Sequence, residues 1–162
     1  MLHWYALYTR PRHEKQVFEE LRNRAIEAYL PTQKVRRRWS DRYKIIEEPL
    51  FKNYLFVRTD GQNYRKCLEP YGAVSFVSVE GKPAAVADEE LEAVRIMVTS
   101  EIPHNPYPYL KAGRKVRVKY GPLEGCEGIL IRKRGLDRLV VTVHLLQRSI
   151  EAEVDAAWIE PR

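Results

Sequence analysis

Over the first hundred residues, apolar positions follow strand spacing in some segments and helix spacing in others. Residues 4–8, Trp-Tyr-Ala-Leu-Tyr, are apolar at consecutive positions, which predicts a strand buried on both faces. After Pro11, apolar side chains recur on one side of a helical wheel and predict a helix over about residues 13–29. That stripe consists of Val17, Phe18, Leu21, Ala25 and Ala28.

Further along, strand and helix patterns continue to alternate. Residues 54–57 are rich in aromatic and β-branched side chains and predict a strand, as do residues 74–79. Residues 64–68 predict a short helical turn between them. Asp88 is the predicted N-cap of a second helix, which keeps helical spacing to Val98. This alternation predicts an α/β or α+β sandwich of about 100 residues.

The composition changes after residue 100. Residues 101–109 hold three prolines and are predicted to form a semi-rigid, extended linker. Residues 110–162 show short strand patterns between glycine and polar turns, without a convincing helix, and predict a small β-barrel. The expected domains are therefore 1–100 and 110–162, joined by 101–109. The strand patterns of the second domain are residues 116–118, 128–131, 139–145 and 150–154.

The densest basic cluster lies around a predicted hairpin. Ser40-Asp41 indicates a tight turn, and the flanking strands would place Trp39 and Tyr43 together on one face. Two interpretations stay open: a solvated hairpin charged to prevent edge-to-edge association, or a phosphate-contacting surface in which arginines and aromatics act together. The arginines of this cluster are Arg36, Arg37, Arg38 and Arg42.

Composition narrows the functional class. The 162 residues carry 28 Lys and Arg against 22 Asp and Glu, a net charge of +6, which is compatible with a nucleic-acid or acidic partner. Two cysteines are too few for a disulfide scaffold or a four-cysteine zinc site, so we expect a cytoplasmic protein with reduced thiols. No apolar run is long enough to span a membrane. Scattered histidines and the lack of a nucleophile elbow or P-loop favour a binding protein over an enzyme, without metal or cofactor.

Two stretches and their order resemble a known family. Residues 4–8, the segment Glu-Pro-Leu-Phe-Lys-Asn-Tyr-Leu-Phe-Val at 48–57 and the strand at 72–79 resemble the N-terminal domain of NusG-type transcription elongation factors. Residues 116–131, with the Gly-Pro-Leu-Glu-Gly turn at 121–125, resemble their C-terminal KOW barrel. The form of the 49–57 segment is closer to specialised paralogues such as RfaH, LoaP and UpxY than to housekeeping NusG.

The resemblance implies a protein that binds RNA polymerase, seats an apolar surface on the clamp helices, and suppresses pausing or termination. By motif match, that surface comprises Ala6, Tyr8, Tyr54, Phe56 and Phe76. The strand period of two agrees, because Tyr54 and Phe56 share one face while Leu55 and Val57 share the other. A sheet covered on both faces would instead bury all four of these strand residues.

The resemblance also implies nucleic-acid contact beside that surface. Arg10, Arg12 and Lys15 correspond to a basic surface near the displaced strand, where phosphate contact with non-template DNA or nascent RNA is expected. A second polymerase contact in RfaH uses a polar turn, and the matching residues here are Tyr64-Arg65-Lys66-Cys67.

In the family, the KOW barrel binds a second partner, ribosomal protein NusE or the termination factor Rho. The contacting loop matches residues 145–148, so the candidates are Leu145, Leu146 and Arg148, with Leu123 on a neighbouring turn. RfaH can refold this domain into a helical hairpin. The β-branched run at 139–143 argues here for a stable barrel.

The prediction is a monomeric, two-domain antitermination or elongation regulator without catalysis. One alternative is a ribosome-associated, RNA-binding KOW protein, whose affinity would come from the basic residues of 110–162. Another is a housekeeping NusG that assists Rho, which differs from the first prediction only in its outcome.

Overall fold

The computed structural model describes residues 1–162, which divide into two compact units, 1–85 and 86–162. The first unit contains one α-helix, a short 3₁₀ helix and eight strands. The helices are α1 (Glu14–Asn23) and the 3₁₀ helix Tyr64–Leu68; the strands are β1 (His3–Thr9), β2 (Ala28–Tyr29), β3 (Thr32–Trp39), β4 (Arg42–Pro49), β5 (Tyr54–Thr59), β6 (Ala73–Phe76), β7 (Ser78–Val79) and β8 (Lys82–Pro83).

The centre of the first unit is an antiparallel sheet in the order β2-β5-β1-β6. In the register of β1 and β5, Leu7 lies opposite Leu55, and Ala6 lies opposite Phe56. Because directly opposed residues share a face, these two pairs mark the two sides of the sheet. Both sides are apolar, as the uninterrupted pattern of residues 4–8 predicts.

Helix α1 covers the side of the sheet that carries Leu7 and Leu55. Apolar burial of this kind is the main stabilising term for such a small unit. The 3₁₀ helix adds Cys67 to the same cluster. The cluster consists of Leu7, Val17, Leu21, Leu55, Val57, Cys67 and Phe76.

The predicted first helix is too long. In the structure, α1 ends at Asn23 because Ala25 adopts a left-handed conformation with φ of 59°. The amide of Ala25 then donates to the Arg22 carbonyl, and the amide of Ile26 donates to the Leu21 carbonyl, both at 2.9 Å. This pair of bonds is a Schellman motif, which normally uses glycine at the left-handed position. With alanine there, the sequence carries no stop signal.

The second unit comprises one α-helix, two short 3₁₀ helices and six strands. The helices are α2 (Asp88–Thr99) and the 3₁₀ helices His144–Leu146 and Ala156–Trp158; the strands are β9 (His104–Tyr107), β10 (Lys115–Val118), β11 (Glu127–Lys133), β12 (Leu136–Val143), β13 (Arg148–Glu153) and β14 (Ile159–Pro161). The strands form one antiparallel sheet in the order β14-β10-β11-β12-β13-β9. Residues 110–162 hold no α-helix, in agreement with their β-branched composition.

Helix α2 packs against β11 and β12 in the second unit. The sequence pattern instead predicts this helix in the first domain, with residue 100 as the predicted boundary. The Cys126 thiol lies 3.6 Å from the Ala93 carbonyl of α2.

The N-cap of α2 is Ala87 rather than the predicted Asp88, and no side chain caps the helix. Asp88, Glu89 and Glu90 all lie in its first turn, where the helix dipole favours acidic side chains.

The proline-rich segment differs from a free linker. It is extended, as expected, but residues 104–107 form β9 and pair with β13. Pro106 lies opposite Ile150, at the outer edge of the sheet. An edge strand tolerates proline because one side of its backbone needs no partner.

No helix in either unit combines the length and the apolar composition needed to cross a membrane.

Candidate functional site

An aromatic pair lies on the side of the first sheet opposite α1. Tyr8 and Tyr54 face each other across β1 and β5, and their ring centroids are 5.5 Å apart in an edge-to-face arrangement. Both side chains are half-buried. This aromatic pair therefore keeps an accessible apolar surface on a rigid strand scaffold.

The position of Tyr54 is fixed by the residue before it. Asn53 has a left-handed backbone with φ of 72°, and its carbonyl accepts a 2.8 Å hydrogen bond from the Thr9 amide. Its own amide donates to Glu14 Oε2 at 2.9 Å, which explains why this carboxylate is only 5% exposed. Glu14 and Asn53 thus hold the start of β5 against β1. Neither residue was predicted to have this role, because a glutamate early in a helix normally lies in solvent.

Two more predicted residues lie on the same face but are fully buried. Ala6 and Phe56 both have 0% exposure. The ring of Phe56 stacks on Tyr29 at 6.4 Å and meets Phe51 edge-on at 6.2 Å. In this structure Phe56 is a core residue on the same side of the sheet as the aromatic pair, and it offers no surface of its own.

Phe76, the fifth predicted residue, lies on the other side of the sheet. It pairs with Leu7 in the register of β1 and β6 and belongs to the core beneath α1. Its ring meets Tyr5 at 5.9 Å and Tyr64 at 5.6 Å, and only 7% of the residue is exposed. Phe76 is thus not brought together with the other four.

The basic hairpin forms as predicted, with β3 and β4 joined at Ser40-Asp41. One part of the prediction is wrong, however. Trp39 pairs with Arg42 and Tyr43 pairs with Arg38, so the two aromatic residues point to opposite faces. They are 52% and 57% exposed.

Each aromatic ring of the hairpin is paired with a cation. The Arg36 guanidinium lies 4.0 Å from the centroid of the Tyr43 ring, and Lys44 Nζ lies 4.8 Å from that of Trp39. Such cation–π contacts hold long side chains in place at modest energy. Arg37 instead donates to both carboxylate oxygens of Glu48, at 2.8 and 3.0 Å.

Arg38 and Arg42 are exposed near the tip of the hairpin and form no ion pair. Two-sided exposure of charge and rings gives this hairpin a surface suited to phosphates and bases rather than to a core.

The three basic residues after β1 surround the start of α1. Arg10 places its guanidinium 5.3 Å from the centroid of the Tyr71 ring. Arg12 is exposed in a left-handed conformation with φ of 66°. Lys15 Nζ donates to the Glu47 carbonyl and so connects α1 to the hairpin. Tyr71, which the sequence did not single out, joins this surface from a turn before β6.

The predicted polar turn at residues 64–67 is the 3₁₀ helix of the first unit. Arg65 and Lys66 are exposed, whereas Cys67 is fully buried. Burial raises the pKa of the Cys67 thiol, and the neighbouring Thr59 opposes that shift. The cysteine is therefore a core residue, and contact with a partner is open only to its two basic neighbours.

In the second unit, the predicted partner loop is the 3₁₀ helix His144–Leu146 and the start of β13. Leu146 and Leu123 are buried, at 8% and 2% exposure, so both act as core residues. Leu145 is half-buried and Arg148 is exposed. The accessible part of the predicted surface is thus smaller than the sequence suggested.

This loop is held to α2 by a carboxylate. Glu90 Oε1 accepts a 3.3 Å hydrogen bond from the His144 amide, and Glu90 Oε2 lies 3.9 Å from His144 Nε2. Burial raises the pKa of Glu90, and His144 opposes that shift. His144 Nδ1 also lies 3.0 Å from the Tyr109 hydroxyl. Three segments of the second unit therefore meet at His144.

Neither Cys67 nor Cys126 has the exposure or the lowered pKa of a reactive thiol. Burial, the largest cause, raises the pKa of Cys126 to about 12. A thiol at that pKa is almost entirely protonated at neutral pH and is a poor nucleophile.

Comparisons with known proteins agree on one family. Residues 2–95 match the model of the family described as transcription termination factor nusG. The chain is 26% identical over 174 residues to the transcription termination/antitermination protein NusG of Lactococcus lactis subsp. lactis strain IL1403, covering 97% of this chain and 91% of that protein. A solved structure of Thermotoga maritima NusG is similar in fold, with a TM-score of 0.54 and 20% identity over 99% of this chain and 97% of the other.

Proposed function

The chain belongs to the NusG family of transcription termination and antitermination factors, and from this premise we propose that it binds RNA polymerase through the Tyr8–Tyr54 aromatic pair. Proteins of this family are transcription factors and not enzymes. The observation that carries the proposal is the aromatic pair itself, half-buried and facing one way from a strand scaffold. Large aromatic side chains on a rigid support are the usual anchors of protein interfaces.

The proposed partner surface is the tip of the polymerase clamp helices. A helical tip presents apolar side chains over a narrow area, which matches two adjacent rings better than a broad patch. Phe56 lies on the same side of the sheet but is fully buried against Tyr29 and Phe51, so it is excluded from the proposed contact surface. We expect binding at this position to favour elongation and to suppress pausing or termination.

The hairpin and the basic residues after β1 provide a second contact, with nucleic acid in the same complex. Arg36, Arg38 and Arg42 point out from the hairpin, and Arg10 and Arg12 extend the charge along the first unit. Contacts of this kind fix position on the phosphate backbone rather than read its sequence.

The second unit is proposed to recruit a further factor, ribosomal protein NusE or Rho, through Leu145 and Arg148. Leu145 offers apolar area beside a charged side chain, a combination typical of small, specific contacts. Held by Glu90, the loop before β13 is ordered in advance, which lowers the entropic cost of binding.

An RNA-binding role for the second unit is less well supported by its charges. Five of the eleven lysines and arginines in residues 110–162 form ion pairs with acidic side chains. These pairs are Lys119–Glu160, Arg132–Asp137, Lys133–Glu151, Arg138–Glu151 and Arg162–Glu127. The hairpin of the first unit differs in that two of its cations lie on exposed aromatic rings, a combination that suits nucleic acid. We therefore favour polymerase binding, as a monomer in the cytoplasm, over a ribosome-associated function.

A specialised role rather than a housekeeping one is the further proposal. It rests on the Pro-Leu-Phe-Lys-Asn-Tyr-Leu-Phe-Val segment at 49–57. A specialised factor is expected to change transcription of a few operons when deleted. A broad change across most transcripts would contradict this part of the proposal.

Binding of the full chain to purified core RNA polymerase tests the main proposal. Replacing both tyrosines, Tyr8→Ala with Tyr54→Ala, should cost about 2 kcal/mol or more, at least tenfold in affinity. The matched control is Tyr120→Ala, which removes a tyrosine that is 60% exposed in the second unit. Unchanged binding by the double variant, with its fold intact by circular dichroism, would contradict the proposed surface.

A further inference from the structure

We propose that the second unit binds an arginine side chain of a partner protein in a cavity beside Trp158. The cavity has a volume of about 480 Å³, which lies within the usual range of specific binding pockets. Its walls come from β9 and the residues just before it, the start of β12, the end of β13 and the 3₁₀ helix Ala156–Trp158. This site goes beyond the polymerase and loop contacts proposed above and does not depend on them.

The cavity is separate from the loop proposed to bind a further factor. Arg138, in the cavity wall, lies near the start of β12, whereas the loop at His144 follows the end of that strand. An extended strand between these two positions spans about 20 Å. The cavity is therefore a second surface at the opposite end of the same strand.

Trp158 forms the aromatic wall of the cavity and is held in position by its neighbours. Its six-membered ring packs against Gly121, where a Cβ would come within 2.7 Å of the ring. Gly121 has φ of +88°, so only glycine fits at this position. The Trp158 carbonyl accepts a 2.7 Å hydrogen bond from the Lys119 amide. Because the residue remains half-buried, part of the indole borders the cavity.

Two carboxylates in the cavity wall are available to a cation. Glu153 is exposed, and its side chain forms no ion pair or hydrogen bond. Asp155 accepts a 2.9 Å hydrogen bond from the Ala157 amide through Oδ1, which fixes the carboxylate and leaves Oδ2 available. Both carboxylates thus lie beside the indole without a cationic partner.

Arg138, the one cation in the cavity wall, is committed to a different carboxylate. The register of β12 and β13 sets Arg138 opposite Glu153, yet its Nη1 lies 3.6 Å from Glu151 Oε1. Glu151 is only 2% exposed and also pairs with Lys133 at 3.2 Å. Because a buried charge needs compensation more than an exposed one, Glu151 engages both cations. Glu153 and Asp155 therefore give the cavity an excess of negative charge.

The cavity wall also holds polar groups that a peptide backbone would satisfy. Arg138 Nε is buried and has no acceptor among the atoms of the protein. Buried donors are nearly always paired, so an orphan donor in a cavity wall indicates an acceptor that arrives with a ligand. The side-chain amide of Asn105, exposed in the same wall, forms no hydrogen bond either.

These features together select an arginine within a protein chain. A planar guanidinium can stack on an indole and donate to two carboxylates at once, whereas an ammonium group is a compact point charge. Free arginine would bring its own carboxylate next to Glu153 and Asp155, and a nucleic acid would bring phosphates there. An arginine within a chain brings a neutral backbone, whose carbonyl can accept from Arg138 Nε.

NMR of the full chain tests this inference, with the indole N–H of Trp158 as the reporter. The probe is the capped tripeptide acetyl-Gly-Arg-Gly-amide, and two comparison peptides carry lysine or the neutral isostere citrulline in place of arginine. The arginine peptide should shift the Trp158 signal saturably, and the lysine peptide should bind more weakly. The citrulline peptide should bind about tenfold more weakly or less, because it lacks the charge. The indole signals of Trp4 and Trp39 should not move.

A paired substitution removes the negative charge of the cavity and keeps its shape. Glu153→Gln with Asp155→Asn should weaken binding of the arginine peptide about tenfold, since charge-assisted hydrogen bonds become neutral ones. The matched control is Glu89→Gln with Glu124→Gln, which removes the same charge from two exposed positions elsewhere in the second unit. This control should bind as the unmodified chain does, and circular dichroism verifies the fold of both variants. An equal loss in the control would overturn the inference.

The same titrations identify the other occupants of the cavity. No saturable shift of Trp158, or equal affinity for the citrulline peptide, would overturn the inference. Tighter binding of free arginine than of the capped peptide would assign the cavity to a small molecule and would also overturn it. A short single-stranded RNA that shifts Trp158 and displaces the peptide would have the same consequence. So would a shift of Trp158 when the unmodified chain is concentrated alone, because a second copy would then be the occupant.

Discussion

The aromatic pair and the hairpin use similar residues in opposite ways. Tyr8 and Tyr54 face each other across two strands of a covered sheet, so both rings lie on one side and are half-buried. Trp39 and Tyr43 also lie on neighbouring strands, but their register places them on opposite faces of an isolated two-stranded hairpin. Register, rather than residue type, decides which aromatics can act together.

The difference indicates two kinds of partner. A one-sided surface backed by a core can bury apolar area against a protein without losing its own shape. A hairpin with a cation on each exposed ring can contact a charged partner on both faces. Because it buries few side chains, mutations in it should change the free energy of unfolding only slightly. Mutations of the buried residues in the first region should therefore lower stability, whereas mutations in the hairpin should change binding with little effect on stability.

The largest expected effect is on stability, at a buried residue on the side of the sheet that carries the aromatic pair. Phe56→Ala removes a fully buried ring that packs against Tyr29 and Phe51, and should cost about 3–5 kcal/mol. Urea denaturation of the full chain measures it. Tyr43→Ala is the matched variant in the hairpin, where 57% exposure predicts a change within about 0.5 kcal/mol. Similar losses in the two variants would contradict the distinction between the regions.

The next effect is on binding through the hairpin. Replacing Arg36, Arg38 and Arg42 together by alanine should lower the slope of log affinity for single-stranded DNA against log salt by about two to three. The affinity itself should fall roughly tenfold to hundredfold at physiological salt. Core polymerase without nucleic acid should bind the triple variant normally. Loss of that binding would show that the hairpin contributes to the protein interface.

The order of strands and helices could largely be predicted from the sequence, because it depends on hydrophobic period. The 3₁₀ helix at 64–68, the hairpin turn at Ser40-Asp41 and the strand at 54–57 all lie where their patterns indicate. The end of α1 could not be predicted, since Ala25 takes a conformation that its side chain disfavours. The hydrogen bonds of the Schellman motif stabilise Ala25 in this conformation, and no local sequence pattern predicts them.

The candidate surfaces were predicted less well than the fold, because exposure is a tertiary property. Ala6, Phe56 and Leu146 all follow the expected spacing, yet neighbouring residues bury them. Strand period gives the face of a side chain but not what covers that face. Tyr71 shows the reverse case: it lies in a turn without periodicity, and only folding brings it to Arg10.

A smaller effect is expected from the ion pair at the base of the hairpin. Arg37 and Glu48 form a two-oxygen contact, but the arginine is 49% exposed and the glutamate 22%. A double-mutant cycle with alanine at both positions should give a coupling energy of about 0.2–1 kcal/mol that weakens with salt. A much larger value would mean that the hairpin is more rigid than its exposure suggests.

The smallest effect concerns Glu90 in the second unit. This carboxylate accepts a hydrogen bond from the loop that carries the half-buried Leu145. Burial raises the pKa of Glu90, so the folded chain holds its proton more tightly than the unfolded chain does. The stability from this proton is present below the ordinary glutamate pKa and is lost as pH rises through the raised value. Glu90→Gln should remove that slope from the pH dependence of unfolding, measured by urea titration. A slope of opposite sign in the unmodified chain would show that the His144 contact outweighs burial.

The six-stranded sheet of the second unit has a proline in each of its two outermost strands. Pro106 lies in β9 and Pro161 lies in β14, and neither has a backbone amide to donate to an incoming strand. Sheets with open margins tend to add strands from other molecules and to grow into aggregates. Each proline thus removes one backbone hydrogen-bond donor from an edge of the sheet and disfavours the pairing of a further strand there. A fold built almost wholly from strands is thereby protected against polymerising with copies of itself at high concentration.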